Sequence, residues 1–279
     1  MVRADSARPS VVIEPATDIF KLGLGPLWNY RELVYFLAWR DLKARYAQTS
    51  LGVAWALLQP LAMMIMFTFV FGRLANLPSD GIPYPIFAYA ALVPWSFFAK
   101  SLDRGGFSVV AESNLVSKVY FPRLIVPISV TLGGLLDFAI SFALLFAMMW
   151  WFGISLQVSI LALPICIVLT VLLALALSLW LAAICVRYRD VGAIVPLLTQ
   201  LWMFGSPVVY PVSLVPKDWL WFYNVNPMVG LLEGYRWALL GTASPALPVL
   251  AVNILVIAVL LLGGLMYFNR MERTFVDVI

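Results

Sequence analysis

The chain has 279 residues, of which 63% are hydrophobic and 11% charged, and its mean hydropathy is +0.96. Water-soluble domains carry about 25% charged residues, so a soluble enzyme or binding module is excluded and a lipid-dissolved helical bundle is expected. The net charge of +4 is read below from its placement along the chain, as a topology signal and not as a nucleic-acid patch.

In chain order, residues 1–28 mix Arg3, Asp5, Arg8, Glu14 and Asp18 without an apolar core segment, so they read as a cytoplasmic tail and not as a signal peptide. Residues 29–50 follow as an amphipathic interfacial helix. There Leu33, Leu37 and Trp39 alternate with Arg31, Arg40, Lys43 and Arg45, and Asp41 faces Arg45 at i, i+4. Six apolar segments then give an all-α membrane domain over 51–268. The first, about 52–72, has no charge until its end, and at about 1.5 Å per residue it matches a hydrocarbon thickness of roughly 30 Å. The second, about 85–106, ends on Lys100 and Arg104, whose stems can snorkel to the interface. Segments 125–152 and 158–186 are joined by a short turn and form a hairpin, each longer than a crossing needs. Segments 191–210 and 246–268 complete the set. Residues 269–279 form a short tail expected, like the first, in the cytoplasm.

Six crossings put both termini on one side. That side receives every lysine and arginine except Arg73, Lys217 and Arg236, the pattern of a cytoplasmic face in a bacterial inner membrane. Cys166 and Cys185 sit in apolar runs and there is no histidine, so neither a disulfide framework nor a metal site is expected. No G-x-x-x-x-G-K-[ST] phosphate loop, H-E-x-x-H, G-x-S-x-G or carboxylate cluster occurs. No catalytic residue and no cofactor are therefore assigned to this chain, and a pump would need an ion gradient or a separate energy-supplying polypeptide.

Four stretches carry a resemblance. They are Leu51-Gly-Val-Ala-Trp-Ala-Leu-Leu-Gln-Pro60, Pro94-Trp-Ser-Phe-Phe98, Glu112-Ser-Asn-Leu-Val-Ser-Lys-Val-Tyr-Phe-Pro-Arg-Leu-Ile-Val-Pro127 and Arg187-Tyr-Arg-Asp190. In this order, over about Tyr30 to Phe268, the chain resembles the ABC-2 family of polysaccharide-export permeases, the membrane subunits of O-antigen, capsule or teichoic acid ABC transporters, with the O-antigen (Wzm-like) subgroup nearest. The resemblance implies a homodimeric channel, two copies of a separate ATPase subunit that bind ATP and Mg, and a lipid-linked polysaccharide as substrate.

It also implies that Asn114, Leu115, Lys118, Tyr120, Phe121, Pro122 and Arg123 couple to that ATPase. The residues suit the role: a short helix over Glu112–Tyr120, stopped at Phe121-Pro122, offers Leu115, Val116 and Val119 for burial and Lys118 and Arg123 for ionic contacts. Spacing alone equally allows an amphipathic loop at the headgroups. Arg187 and Arg189 are a second coupling candidate or plain topology anchors.

Between spans five and six, Pro207, Pro211, Pro216 and Pro227 rule out one continuous helix, so short re-entrant or interfacial periplasmic helices are expected. Glu233 and Arg236 lie i, i+3 there and could neutralise each other as a structural pair or as a periplasmic gate. Sugars pack their CH-rich faces on aromatic rings. Since the family places spans one and five at the dimer axis, Trp55, Phe67, Phe71, Trp202, Phe204 and Tyr210 are candidate path residues. Gln59 joins them beside Pro60, where an amide can bond a carbonyl freed at a kink. Asp137 is the single acid well inside a span and calls for a partner or a wet cavity. It supports the alternative of a gradient-driven flippase or transporter, with Asp137 as ion carrier.

Overall fold

The computed structural model describes residues 28–47, 52, 54–188, 190–272 and 275. The N-terminal tail as far as residue 27, Arg189 and most of the C-terminal tail lie outside them. Every regular element among the described residues is helical. The helices are α1 (Arg31–Tyr46), α2 (Ala54–Phe67), α3 (Tyr84–Ala111), α4 (Ser113–Lys118), α5 (Ile125–Gly133), α6 (Leu135–Trp151), α7 (Leu163–Arg187), α8 (Asp190–Phe204), α9 (Leu220–Tyr223), α10 (Pro227–Leu240) and α11 (Leu247–Glu272). α2 continues into a π-helical turn at Thr68–Leu74, and a 3₁₀ turn at Val158–Ala162 leads into α7.

Four stretches are long and apolar enough to cross a membrane: Ala54–Leu74, Ile125–Trp151, Val158–Arg187 and Leu247–Glu272. The other two expected crossings do not meet that standard, for different reasons. α8 has 15 residues, about 22 Å at 1.5 Å per residue. α3 has 28 residues, but they include Lys100, Asp103, Arg104 and two prolines.

The composition of α3 follows from its place. It packs against α2, α5, α6, α7, α8 and α10. Ile86, Phe87, Ala88, Tyr89, Ala90, Ala91 and Phe98 on it are fully covered. This enclosed part meets little lipid, whereas Lys100 is half-buried and Asp103 and Arg104 are exposed nearer the far end of the helix.

Close approach of α3 to α7 depends on small residues, the usual device where lipid removes any hydrophobic drive for association. A Cβ on Gly105 would lie 2.5 Å from Ser178 Oγ and 2.7 Å from its Cβ. Ser178 Oγ donates to the carbonyl of Ser101 at 2.9 Å, so the same contact supplies a hydrogen bond. α7 meets α11 in the same way, since a Cβ on Gly264 would sit 2.8 Å from the Ala176 carbonyl oxygen.

The long stretch 125–151 is two helices. α5 ends at Gly133, α6 begins at Leu135, and Gly134 lies between them. This break accounts for a segment longer than one crossing requires. It also admits α1: a Cβ on Gly133 would come 3.1 Å from Arg45 Nη2 and 3.4 Å from the Ala38 carbonyl.

The proline-rich stretch forms short helices as expected. α10 starts at Asn226-Pro227, with Asn226 Oδ1 accepting from Met228 N at 3.1 Å, and stops at Gly241, whose φ of 70° suits glycine. α10 is almost wholly buried against α3, α7 and α11.

Gly105→Val forces a branched side chain into the α3–α7 contact and is expected to destabilise by about 1–3 kcal/mol, the usual cost of overpacking. Gly205→Ala, where an added Cβ finds nothing nearer than 3.5 Å, serves as the control. Thermal unfolding of the detergent-solubilised protein reads the difference; equal melting temperatures would mean that the two helices separate freely.

Candidate functional site

α4 sits at the end of the bundle where α3, α7 and α11 finish. It is a helix as expected, though shorter than Glu112–Tyr120, because the backbone is already extended at Val119. Its burial also differs from the expectation. Val116 is covered and Leu115 half-covered, whereas Val119 is exposed. Asn114 and Lys118 are exposed, and Tyr120 is 72% exposed. Phe121 is buried in an apolar cluster with Val109, Phe268 and Phe275, and Pro122 is half-buried beside it.

Arg123 does not reach outward for an ionic contact. Its backbone N donates to Glu272 Oε1 at 3.0 Å and its Nη1 donates to the Glu272 carbonyl. The other end of the segment is tied as well, since Arg40 on α1 pairs with Glu112. The segment is therefore a short helix held at both ends, with Lys118, Val119 and Tyr120 presented outward. Arg187 is exposed at the end of α7 with its guanidinium 5.5 Å from the Tyr188 ring. Arg189 lies outside the described residues.

A charged girdle fastens α1 to the bundle. Arg45 Nη1 donates to Asp137 Oδ2 at 2.9 Å, Tyr46 Oη donates to Asp137 Oδ1, and Arg45 Nη2 also meets Asp41. Burial, reinforced by the Asp137 bond, pushes the Tyr46 hydroxyl up to about 12, so it remains a neutral donor. Side-chain exposure separates the two α1 contacts: 14% for both Arg45 and Asp137, against 44% and 29% for Arg40 and Glu112. Exposed pairs contribute about 0–1 kcal/mol, whereas removing one partner of a buried pair costs about 3–5 kcal/mol. Arg45–Asp137 is thus the contact that decides whether α1 stays docked. The partner Asp137 requires was not evident from the sequence, which showed only its i, i+4 neighbour Asp41 on the arginine. The surplus of cations on α1 was the available signal.

Glu233 and Arg236 form no direct ion pair. Each still feels the other's charge, but Arg236 lies inside the bundle and its donors are taken by backbone. Its Nη2 donates to the Val208 carbonyl at 2.9 Å, its Nε reaches the Phe87 carbonyl at 3.5 Å, and its guanidinium lies 3.7 Å from the Phe87 ring centroid. Together with Tyr84 Oη donating to the Val209 carbonyl at 2.6 Å, it sews the loop after α8 to α3.

The candidate path residues divide. Trp55, Gln59 and Phe204 are exposed on α2 and α8. Phe67 is buried and meets Phe71 edge-on at 5.6 Å. Trp202 is wedged edge-on against Phe98 at 5.3 Å, with its Nε1 donating to Asn226. Tyr210 donates to the Phe204 carbonyl and accepts from Tyr223. Phe67 and Trp202 therefore pack inside a single chain, while Trp55, Gln59 and Phe204 are available on its surface. Among the described residues no group of three or more potential metal ligands occurs.

Residues 32–240 match the family profile described as ABC-2 type transporter. The chain belongs to that family. It is 32% identical over 214 residues to the O-antigen export system permease protein RfbA of Myxococcus xanthus, covering 75% of this chain and 81% of that protein. A Klebsiella pneumoniae protein of the same name is 26% identical over 93% of this chain and 98% of its own length. The polysialic acid transport protein KpsM of Escherichia coli is 22% identical over 84% of this chain and 91% of its own.

Asp137→Ala removes the acceptor that Arg45 and Tyr46 share, leaving Arg45 only its Asp41 contact, and is expected to cost about 3 kcal/mol. The double variant Arg45→Met/Asp137→Leu, which removes both charges, should regain most of that loss. Thermal unfolding of the two proteins in one detergent measures the pair; an unaltered melting temperature for Asp137→Ala would mean that the girdle carries no load.

Proposed function

We propose that the chain is the membrane subunit of an ATP-driven exporter for a lipid-linked polysaccharide, O-antigen in the first instance. The observation that carries this reading is the match, over nearly the full length of both proteins, to an O-antigen export permease. In this reading the chain crosses the bacterial inner membrane six times with both termini in the cytoplasm. α3 and α8 are the second and fifth crossings, and the stretch holding α9 and α10 re-enters from the periplasmic side. Two copies form the channel. Two copies of a separate subunit bind ATP and Mg and hydrolyse the nucleotide.

The geometry supports the division of labour. Lys118, Val119 and Tyr120 stand out from a segment tied at Glu112 to α1 and at Arg123 to the end of α11. A push on such a segment reaches an interfacial helix and a crossing helix together. The exposed Trp55, Gln59 and Phe204 suit the walls of a sugar path, which is completed by the second copy. Glu233, half-buried two turns into α10, remains the candidate gate residue with Arg236 as its fixed neighbour.

A gradient-driven transporter would need Asp137 to exchange its ion during the cycle. The carboxylate is instead held by Arg45 and Tyr46 on another helix, which favours a structural role.

The test is export of lipid-linked polysaccharide from cells or inverted vesicles that contain both subunits. Lys118→Ala/Tyr120→Ala should reduce export at least tenfold while the protein remains folded and in the membrane. Asp137→Asn should retain ATP-dependent export even at lower protein yield. Export that persists at full rate with a hydrolysis-dead ATPase subunit would overturn the proposal.

A further inference from the structure

Beside the girdle lies a small cavity lined by Arg45, Lys100, Arg104, Ser96, Ser141 and Asp137. Its charges do not balance. Asp137 is engaged by Arg45 and Tyr46, and Asp41 by Arg45. Among the described residues neither Lys100, which is half-buried, nor Arg104, which is exposed, makes an ion pair or a hydrogen bond, and the buried Nε of Arg45 has no partner. Three cations thus face two acids, with two of the cations unmet. Cations left without a counter-ion at the mouth of such a cavity attract an anionic group. The cavity measures about 20 Å³, room for one water-sized group, so a single oxygen of a larger anion fits while the rest of that anion stays in the open mouth.

The cavity adjoins an apolar groove. Gly134 lines the cavity and its neighbour Gly133 lines the groove, so both open around the α5–α6 break. The groove, about 720 Å³, runs between α1 and the α5–α6 pair, with Val34, Trp39, Leu132 and Leu136 on its walls and Arg31 at its rim. Tyr35, Phe36 and Trp39 on the same helix are exposed, as befits a helix lying in the headgroup zone. Unmatched positive charge beside a long apolar slot is the complement of an amphiphile with an anionic oxygen-rich head.

We infer that this paired cavity and groove bind one anionic phospholipid of the surrounding membrane, with a phosphate oxygen at Lys100 and Arg104 and an acyl chain under α1. The groove is formed by α1, α5 and α6 and not by the α2 and α8 surfaces that carry Trp55 and Phe204, which points to a lipid drawn from the surrounding bilayer and not to the transported polymer. The bound lipid completes the girdle: its charge answers the unmet cations, and its chain fills the space between α1 and the bundle.

Native mass spectrometry of the detergent-purified protein tests this. The probes are phosphatidylglycerol, phosphatidylcholine, diacylglycerol, polyprenyl diphosphate and inorganic phosphate. Phosphatidylglycerol should be retained about tenfold more tightly than phosphatidylcholine or diacylglycerol, and inorganic phosphate should fail to displace it. Lys100→Gln/Arg104→Gln should reduce that retention about tenfold, a change of about 1.4 kcal/mol. Leu132→Trp, which fills the groove without touching a charge, should also reduce it and keeps the test alive if the double variant does not fold. Unchanged retention in the folded variants, displacement by inorganic phosphate, or preferential binding of polyprenyl diphosphate would overturn the assignment. The measurement needs neither ATPase nor export, so its failure leaves the transport proposal standing.

Discussion

The structure depends on one helix being kept away from lipid. α3 is the axis around which α2, α5, α6, α7, α8 and α10 are arranged, and its contact with α7 is as close as a glycine facing a serine permits. Enclosure covers the first part of α3 and leaves Lys100 half-buried, while Arg104 further along is exposed. It also lets Phe87 offer both ring and carbonyl to a buried arginine. Had α3 faced the bilayer, Arg236 would have lain in hydrocarbon without these acceptors.

The outer helices then fasten to this axis by polar contacts made at a few points. At one end, Arg236 and Tyr84 hold the loop after α8 through its backbone carbonyls. Nearer the other, α1 is pinned by Arg45 and Tyr46 to Asp137, and the segment around α4 is strung between Arg40–Glu112 and Arg123–Glu272. The pinned α1 and the tethered α4 are neighbours along one mechanical route. In the proposed exporter, a force applied at Tyr120 would reach α1 and the crossing helix α11 together.

Much of this was legible in the sequence. The first crossing, the hairpin and the last crossing follow from apolar length, because helices that face lipid must be apolar throughout. The short helix near residue 115 and the interrupted stretch from 205 to 241 follow from proline placement. α3 was harder to delimit because the helix runs on to Ala111, past the half-buried Lys100 and the exposed Asp103 and Arg104, so apolar length alone does not mark its end. The break at Gly133–Gly134 is not visible from the sequence because glycine is frequent in crossing helices, and the pair is explained only by α1 closing on Gly133 and Phe97 of α3 closing on Gly134. The partner of Asp137 was out of reach for a plain reason: Arg45 and Tyr46 lie more than 90 residues away. Local spacing suggested Glu233 for Arg236 and an outward role for Arg123, and in both cases nearby backbone or a distant carboxylate took the arginine's donors instead.

The six-crossing topology proposed above requires that α3, despite its charges, crosses the membrane. Single cysteines placed at Asn76, Ser117, Ser155, Tyr188 and Ser244 in a background lacking Cys166 and Cys185 test it directly with a membrane-impermeant maleimide. The account predicts that Asn76, Ser155 and Ser244 are labelled from one face of the membrane and Ser117 and Tyr188 only from the other. Labelling of Asn76 and Ser117 from the same face would contradict it.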